Sequence, residues 1–270
     1  MTGATAPSPR LRGEGRGEGQ EIARSPSPGA ARRPLPASGE RQAEPDSLVS
    51  VHGSMFTVQR EGALWHEDER VLIVADLHLE KGSAFAERGR GLLPPYDTGA
   101  TFALLATLID RLDPACVVAL GDSFHDSRAG ERMHERDIET LCALQTGRDW
   151  LWVKGNHDPD PPSCVSGEWH GEFRLGPCVM RHEPAAGDAP GEIAGHLHPV
   201  AKIVVRGESV RRRCVVSDGR RAILPAFGVY AGGLNVRDRA FDGLFRGETL
   251  SAWMLGASGI YLMPGERLVP

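Results

Sequence analysis

Apolar residues in this chain come in short blocks that stop abruptly at polar, titratable positions. "VLIVAD" (71–76), "CVVALGD" (116–122) and "WLWVKGNHD" (150–158) each run four or five apolar residues toward Asp76, Asp122 or the Asn156–His157 pair. Runs of that length bounded by turn residues predict strands buried on both faces. Between the first two, Leu105, Leu108, Ile109 and Leu112 recur at helical spacing, with Asp97 or Thr98 as the cap and "DP" at 113–114 as the stop. "ERMHERDIETLCALQ" (131–145) predicts the next helix, with Ile138, Leu141 and Cys142 on one face. "EKGSAFAERGRGLLPPYD" (80–97) shows no period and predicts a long irregular loop, the kind that often carries function.

This alternation of strand and helix implies parallel strands covered by helices, with ligands gathering beyond the carboxyl ends of the strands. The second half is different. "CVMRHEP", "EIAGHLH", "VAKIVVR", "CVVSD" and "AILPAFGVY" are short apolar runs with few helix-length segments between them. It predicts a second layer of sheet, with helices outside the first. The expected domain spans residues 48–270. Residues 1–47, with "RGEGRGEG" and "SPSPGAARRPLPASGERQAEPD", hold almost no large apolar residues. Such a stretch cannot bury enough surface to offset its ordering entropy, so the expectation is a disordered tail or translated sequence upstream of the true start.

Composition narrows the class. With 40% hydrophobic and 25% charged residues the chain reads as an ordinary globular protein. It has no apolar run long enough to cross a bilayer and no apolar core of a secretory signal, so a cytoplasmic location is expected. The five cysteines are scattered and never form CxxC, which argues against a disulfide framework and against a thiolate zinc site. Net charge is −5, and because residues 1–47 carry seven Arg and six Asp or Glu, the body holds −6. No global attraction to nucleic acid follows. Arginine clusters locally, at Arg88 and Arg90, at 211–213, at Arg220 and Arg221, and at Arg237 and Arg239. The plain reading of the 211–213 run is a solvated face.

Asp76 and His78, two apart in an extended backbone, point to one side. Each polar residue at a strand end has a bland explanation: an aspartate caps turns, "GNHD" is turn-rich, and a lone histidine is usually a satisfied core residue. Their recurrence together, with His182 closing "CVMRH" and His196 and His198 in "GHLH", is not explained that way. Carboxylate, carboxamide and imidazole without thiolate suit divalent ions such as manganese, iron, zinc or magnesium. Seven such groups exceed one tetrahedral ion, and a carboxylate such as Asp122 can bridge two, an arrangement suited to phosphoester hydrolysis.

"DLH", "GDSFHD", "GNHD", "RH" and "GHLH", in that order, resemble the five signature blocks of the calcineurin-like metallophosphoesterases. The resemblance implies an α/β (α+β) fold, a four-layer αββα sandwich of two mixed sheets flanked by helices. It places a dinuclear site at the carboxyl ends of the strands. It would give Asp76, His78, Asp122 and His198 to one metal and Asp122, Asn156, His182 and His196 to the other, with manganese the first expectation. It would make His157 the group that contacts the scissile phosphate and protonates the leaving oxygen. The second block departs from the usual GDxxD: His125 stands at the last position and Asp126 follows it. Asp126 is therefore expected to orient His157, or His125 to face substrate. His170 in "GEWHGEF" competes with His182. "VADLHLEKGSAFAERGRGLLPPYDT", "LGDSFHD" and "AGHLHP" are further similar to the bacterial ligase-associated DNA damage response endonucleases. That likeness implies DNA as substrate, a DNA ligase and a helicase as partners, and Lys81, Arg88 or Arg90 at the substrate border. A hydrolase of nucleotides or other small phosphoesters uses the same metals, and the acidic body favours it. A catalytically silent scaffold for repair partners is disfavoured because no ligand position is missing.

Overall fold

The structure is a computed structural model that describes residues 47–89, 94, 96–160, 162 and 164–270. The expected tail, apart from Ser47, and Arg90 lie outside the described residues. The first sheet has seven strands: β1 Leu48–Val51, β2 Ser54–Val58, β3 Leu64–His66, β4 Val71–Val74, β5 Cys116–Leu120, β6 Asp149–Val153 and β7 Glu168–His170, paired in that order. Pairing is antiparallel from β1 to β4 and parallel from β4 to β7. The parallel part is the predicted alternating unit. Its central strands are buried on both faces: Val71, Ile73, Val118, Leu120, Leu151 and Val153 point between the sheets, while Leu72, Val74, Val117, Ala119, Trp150 and Trp152 point to the helices.

Those helices are α1 Lys81–Glu87, α2 Asp97–Leu112, α3 Ala129–Arg132 and α4 Glu135–Gln145. Helix α2 inserts Leu105, Leu108 and Ile109 of the predicted stripe against the sheet, together with Phe102, while the predicted Leu112 is only partly buried. Three local details differ from expectation. The loop after His78 contains α1, a helix of seven residues whose Gly82 and short length leave no readable period. Asp97 and Thr98 do not cap α2; Tyr96 precedes it, and their side chains instead bind Gly82 N (3.0 Å) and Glu80 N (2.9 Å), pinning α1 to α2. The single helix expected over 131–145 is broken at Met133, and His134 caps α4 by accepting from Arg136 N at 3.2 Å.

The second sheet contains β8 Phe173–Leu175, β9 Cys178–Arg181, β10 Glu192–Ala194, β11 Pro199–Val205, β12 Glu208–Ser217, β13 Ala222–Ile223, β14 Leu234–Asn235, β15 Ser251–Leu255 and β16 Ile260–Pro264. Its order is β14-β11-β12-β13-β10-β9-β8, with β15 added to β12 and β16 to β15. Met180, Ile193, Val215 and Trp253 meet the first sheet and close the central core. The outer face, with Ile203, Val216 and Met254, is covered by Phe241, Leu250 and Leu268 from 3-10 turns and loops. The two mixed sheets form the sandwich that the resemblance implies, with helices outside the first and 3-10 turns and loops outside the second. None of the helices among the described residues is long and apolar enough to cross a membrane.

Candidate metal centre

The loops leaving β4, β5, β6, β9 and β10 meet at one edge of the sandwich. Those after β4 and β5 stay in step beyond the strands: Asp76 N donates to Gly121 O (3.2 Å), His78 N to Asp122 O (2.9 Å) and Leu79 N to Ser123 O (2.9 Å). The parallel register therefore presents Asp76, His78 and Asp122 together. Asp76, His78, Asp122, His196 and His198 all have positive φ, between 44° and 68°. A non-glycine residue held there costs on the order of 1 kcal/mol, and such strain persists where surrounding structure enforces it, commonly at functional sites.

Backbone approaches are correspondingly close. A Cβ on Gly155 would lie 2.1 Å from Asp122 N, and one on Gly195 would lie 2.5 Å from Asp76 Oδ2. Glycine at 195 lets His196 N donate to Asp76 Oδ2 at 2.9 Å, which ties the "GHLH" loop to the first sheet.

Ligand-type atoms of Asp76, His78 and His198 lie within 4.8 Å of one another, as do those of Asp122, His182 and His196. The geometry inside these groups is informative. His182 directs Nδ1 to Leu120 O at 3.0 Å, so in the neutral ring Nε2 is a bare lone pair. Yet Nε2 faces Asn156 Oδ1 at 2.8 Å, His196 Nδ1 at 3.1 Å and Asp122 Oδ1 at 3.4 Å. The lone pairs of His182 Nε2, Asn156 Oδ1 and Asp122 Oδ1 converge in a buried space and call for a cation between them. A proton can serve: burial opposes it, but the hydrogen bond and charge of Asp122 and the charge of Asp76 push His182 up to about 9. His78 Nε2 and His198 Nε2 lie 3.3 Å apart, and His198 Nε2 is 3.3 Å from Asp76 Oδ1. Burial first, then the neighbouring His198, drives His78 down to about 3, leaving it a neutral donor. Burial resists charge on Asp122, but His182 and His157 hold its carboxyl down at about 2. Carboxylate oxygens and imidazole nitrogens, with no cysteine among them, fit a pair of divalent ions.

His157 stands at the rim with 42% of its side chain exposed. Its backbone N donates to Asp122 Oδ1 at 2.9 Å, and its Nε2 is 3.9 Å from Asp122 Oδ2. His157 Nδ1 meets the backbone carbonyl of His125 at 2.8 Å rather than Asp126. Asp126 is occupied elsewhere, with Oδ1 accepting from Arg132 Nη2 (2.8 Å) and Arg128 N (3.1 Å), and Oδ2 3.4 Å from Arg88 Nη2. The nearly buried Arg132 of α3 claims the carboxylate because a guanidinium offers it charge as well as donors. The His125 ring stacks on that of His157 with centroids 5.7 Å apart. His170, the competitor of His182, sits on β7 with Nε2 3.4 Å from Glu168 Oε2. Burial is the main cause lowering His125, as it is for His78, and the charge of Lys81, which opens α1, adds to both. Arg88 is exposed beside Asp126.

Asp158, the last letter of "GNHD", also belongs to the site, although no spacing in the sequence points to it. Only 1% exposed, it accepts from Ser123 N (2.7 Å) and Phe124 N (3.1 Å) through Oδ2 and from Gly155 N (3.0 Å) through Oδ1. One carboxylate thus binds the Asp122 loop to the Asn156 loop, and burial pushes it up to about 6. Its only signal was membership of the block.

Residues 69–208 match the calcineurin-like phosphoesterase family. The crystal structure of Pseudomonas putida nuclease MPE is similar, with 25% identity and a TM-score of 0.61 over 80% of this chain and 98% of that one. Yfce, a phosphoesterase from E. coli, aligns at 14% identity and a TM-score of 0.35 over 72% and 98%. No curated protein matches the chain. The family match covers more than half of the sequence and contains every strand-end group described above, so the chain belongs to the calcineurin-like phosphoesterases and is a metal-dependent phosphoesterase.

Proposed function

We propose that this phosphoesterase is a dinuclear phosphodiesterase that cuts DNA internally, in DNA repair beside a ligase and a helicase. The observation that supports it most is the pair of adjoining donor groups at one sheet edge, in a chain similar to a Pseudomonas nuclease. Asp76, His78, Asp122 and His198 would hold one ion, and Asp122, Asn156, His182 and His196 the other. Divalent ions bound there supply an activated water and positive charge for the phosphate oxygens. The chain's own part is positional. With Nδ1 turned to the His125 carbonyl, the His157 ring keeps Nε2 free to hold a proton and to pass it to the departing oxygen. Asp122 braces the His157 backbone, so proton donor and metal ligand move as one unit. Lys81 borders the phosphate. The repair setting and its two partners rest on the likeness of the segments around Asp76, Asp122 and His196 to ligase-associated endonucleases.

Supercoiled circular DNA has no ends, so nicking in Mn²⁺ separates internal cleavage from exonuclease action. The expected result is open circles from the wild type and none from His157→Ala. A second reading, hydrolysis of small phosphoesters, is favoured by the net charge of −5. Rapid turnover of mononucleotide monoesters with circular DNA left intact, at low salt, would establish that reading and end the first.

A further inference from the structure

The 211–213 arginine run lies on β12, with Arg211 and Arg212 exposed and Arg213 half-buried. Arg70, Arg88, Arg111, Arg128, Arg132, Arg181, Arg220, Arg221 and Arg246 each lie within 4.0 Å of a carboxylate oxygen. Among the described residues, none of Arg211, Arg212 and Arg213 has such a partner. Other described arginines, Arg206 and Arg239 among them, also lack one, but only here do three such cations stand in succession. Strand β12 alternates, and Val215 faces the central core while Cys214 and Val216 face the outer one. Arg211 and Arg213 therefore share one side of the sheet.

That side leads to the metal centre. Arg213 is the register partner of Val200, two residues after His198, and Arg211 pairs with Lys202 one step further out. Strand geometry puts Arg213 within about 10 Å of His198 along the backbone. Arg211, Arg212, Arg213 and Val200 line a groove of about 300 Å³ whose opposite wall is Ala231, Gly232 and Gly233. Gly233 abuts the site loop directly: a Cβ there would lie 2.4 Å from His198 O, and the next residue, Leu234, donates its N to that oxygen at 3.2 Å. Arg211 gives one N–H to Gly233 O (2.7 Å) and Arg213 one to Ala226 O (2.8 Å). A guanidinium has five donors, so most remain for another acceptor.

We infer that this groove is a phosphate track that holds the DNA backbone on the His198 side of the metal centre. The inference rests on the proposed nuclease reading and adds where the polymer lies. Contacts of this kind fix position without reading bases and make binding salt-dependent. A small diester spans only the metal centre and does not enter the groove.

The test compares the full chain with Arg211→Gln/Arg213→Gln, the two positions on the groove side, and with Arg211→Gln alone at the more exposed of them, using two independent readouts. Binding of a fluorescein-labelled single-stranded DNA oligonucleotide is followed by anisotropy, each protein also carrying His157→Ala so that nothing is cut. Turnover of bis-p-nitrophenyl phosphate with Mn²⁺ is measured without that change. Expected for the double variant are at least a tenfold rise in the oligonucleotide Kd, a salt slope lower by about 1.4, or about 0.7 per lost single-strand phosphate contact, and unchanged small-diester turnover. Equal oligonucleotide affinity, or an unchanged salt slope, overturns the track. Loss of small-diester turnover in the double variant also overturns it, by showing that these arginines act through the loop they clasp. Anisotropy needs no turnover. A wild type that hydrolyses no diester therefore sinks the proposed activity, and the groove is then judged on binding alone.

Discussion

His157 and Asp158 are adjacent and carry opposite duties. His157 is exposed and leaves Nε2 unencumbered, so its loss should remove proton transfer and little else. His157→Ala is expected to lower kcat on bis-p-nitrophenyl phosphate roughly 10²- to 10⁴-fold while metal content, read by elemental analysis, stays at two ions. Asp158 is buried and holds three backbone N–H groups of two ligand loops. Asp158→Ala leaves those donors without partners, and a cost of about 3 kcal/mol in urea unfolding is expected, with metal affinity down about 10- to 100-fold. His182 adds a pH dependence. Its folded value of about 9 lies above the ordinary 6.5, so in the metal-free protein its pairing with Asp122 stabilises fully below pH 6.5 and fades as pH rises toward 9. A metal takes the same Nε2, so loading near pH 7.5 should expel close to one proton from this ring. Calorimetry in buffers of different ionisation heat measures that release, and no buffer dependence would contradict it.

At the scale of elements, the site exists because parallel strands end in step and tight loops follow them. The glycines in those loops are there for contact distance. Gly155→Ala would place a methyl against Asp122 N, so the β6 loop must retreat from the β5 loop and separate Asn156 from Asp122. The expected outcome is a folded protein, by circular dichroism, that has lost one of its two metals. The alternation of β4, β5 and β6, with one face to the second sheet and one to the helices, could be read directly from "VLIV", "CVVAL" and "WLWV". Helix α1 could not, because its position depends on Thr98 and Asp97 of α2 reaching back to Glu80 and Gly82. The break between α3 and α4 follows from a cap at His134, a residue that is rarely a capping signal.

For the whole molecule, the central observation is two packed sheets that bring residues 76 and 198 into one cluster, more than a hundred positions apart in sequence. Assembling buried carboxylates and facing imidazoles is unfavourable without cations, so the metals should also stabilise the fold. Saturation at about a hundred times Kd contributes about 2.7 kcal/mol, which for a domain of this size is a melting shift of about 5–10 °C. Differential scanning fluorimetry with Mn²⁺ and then with EDTA measures it, and an unchanged Tm would count against bound metal. Strand β1 begins at Leu48 and the first site residue is Asp76. Removal of residues 1–46 is therefore expected to leave small-diester turnover unaltered.

The order of apolar blocks and the polar letters that end them were enough to specify parallel strands, a common ligand edge and the residue types gathered there. Local chemistry determines those features: strand burial follows from composition, and the ligand types follow from which side chains carry lone pairs. The partner of the His157 ring was decided only in three dimensions, because Arg132 competes for Asp126 through a contact no spacing reveals. The same holds for Asp158, whose three acceptor bonds cross between loops, and for the arginines of β12. Their lack of a carboxylate partner is a property of where every carboxylate lies once the chain has folded.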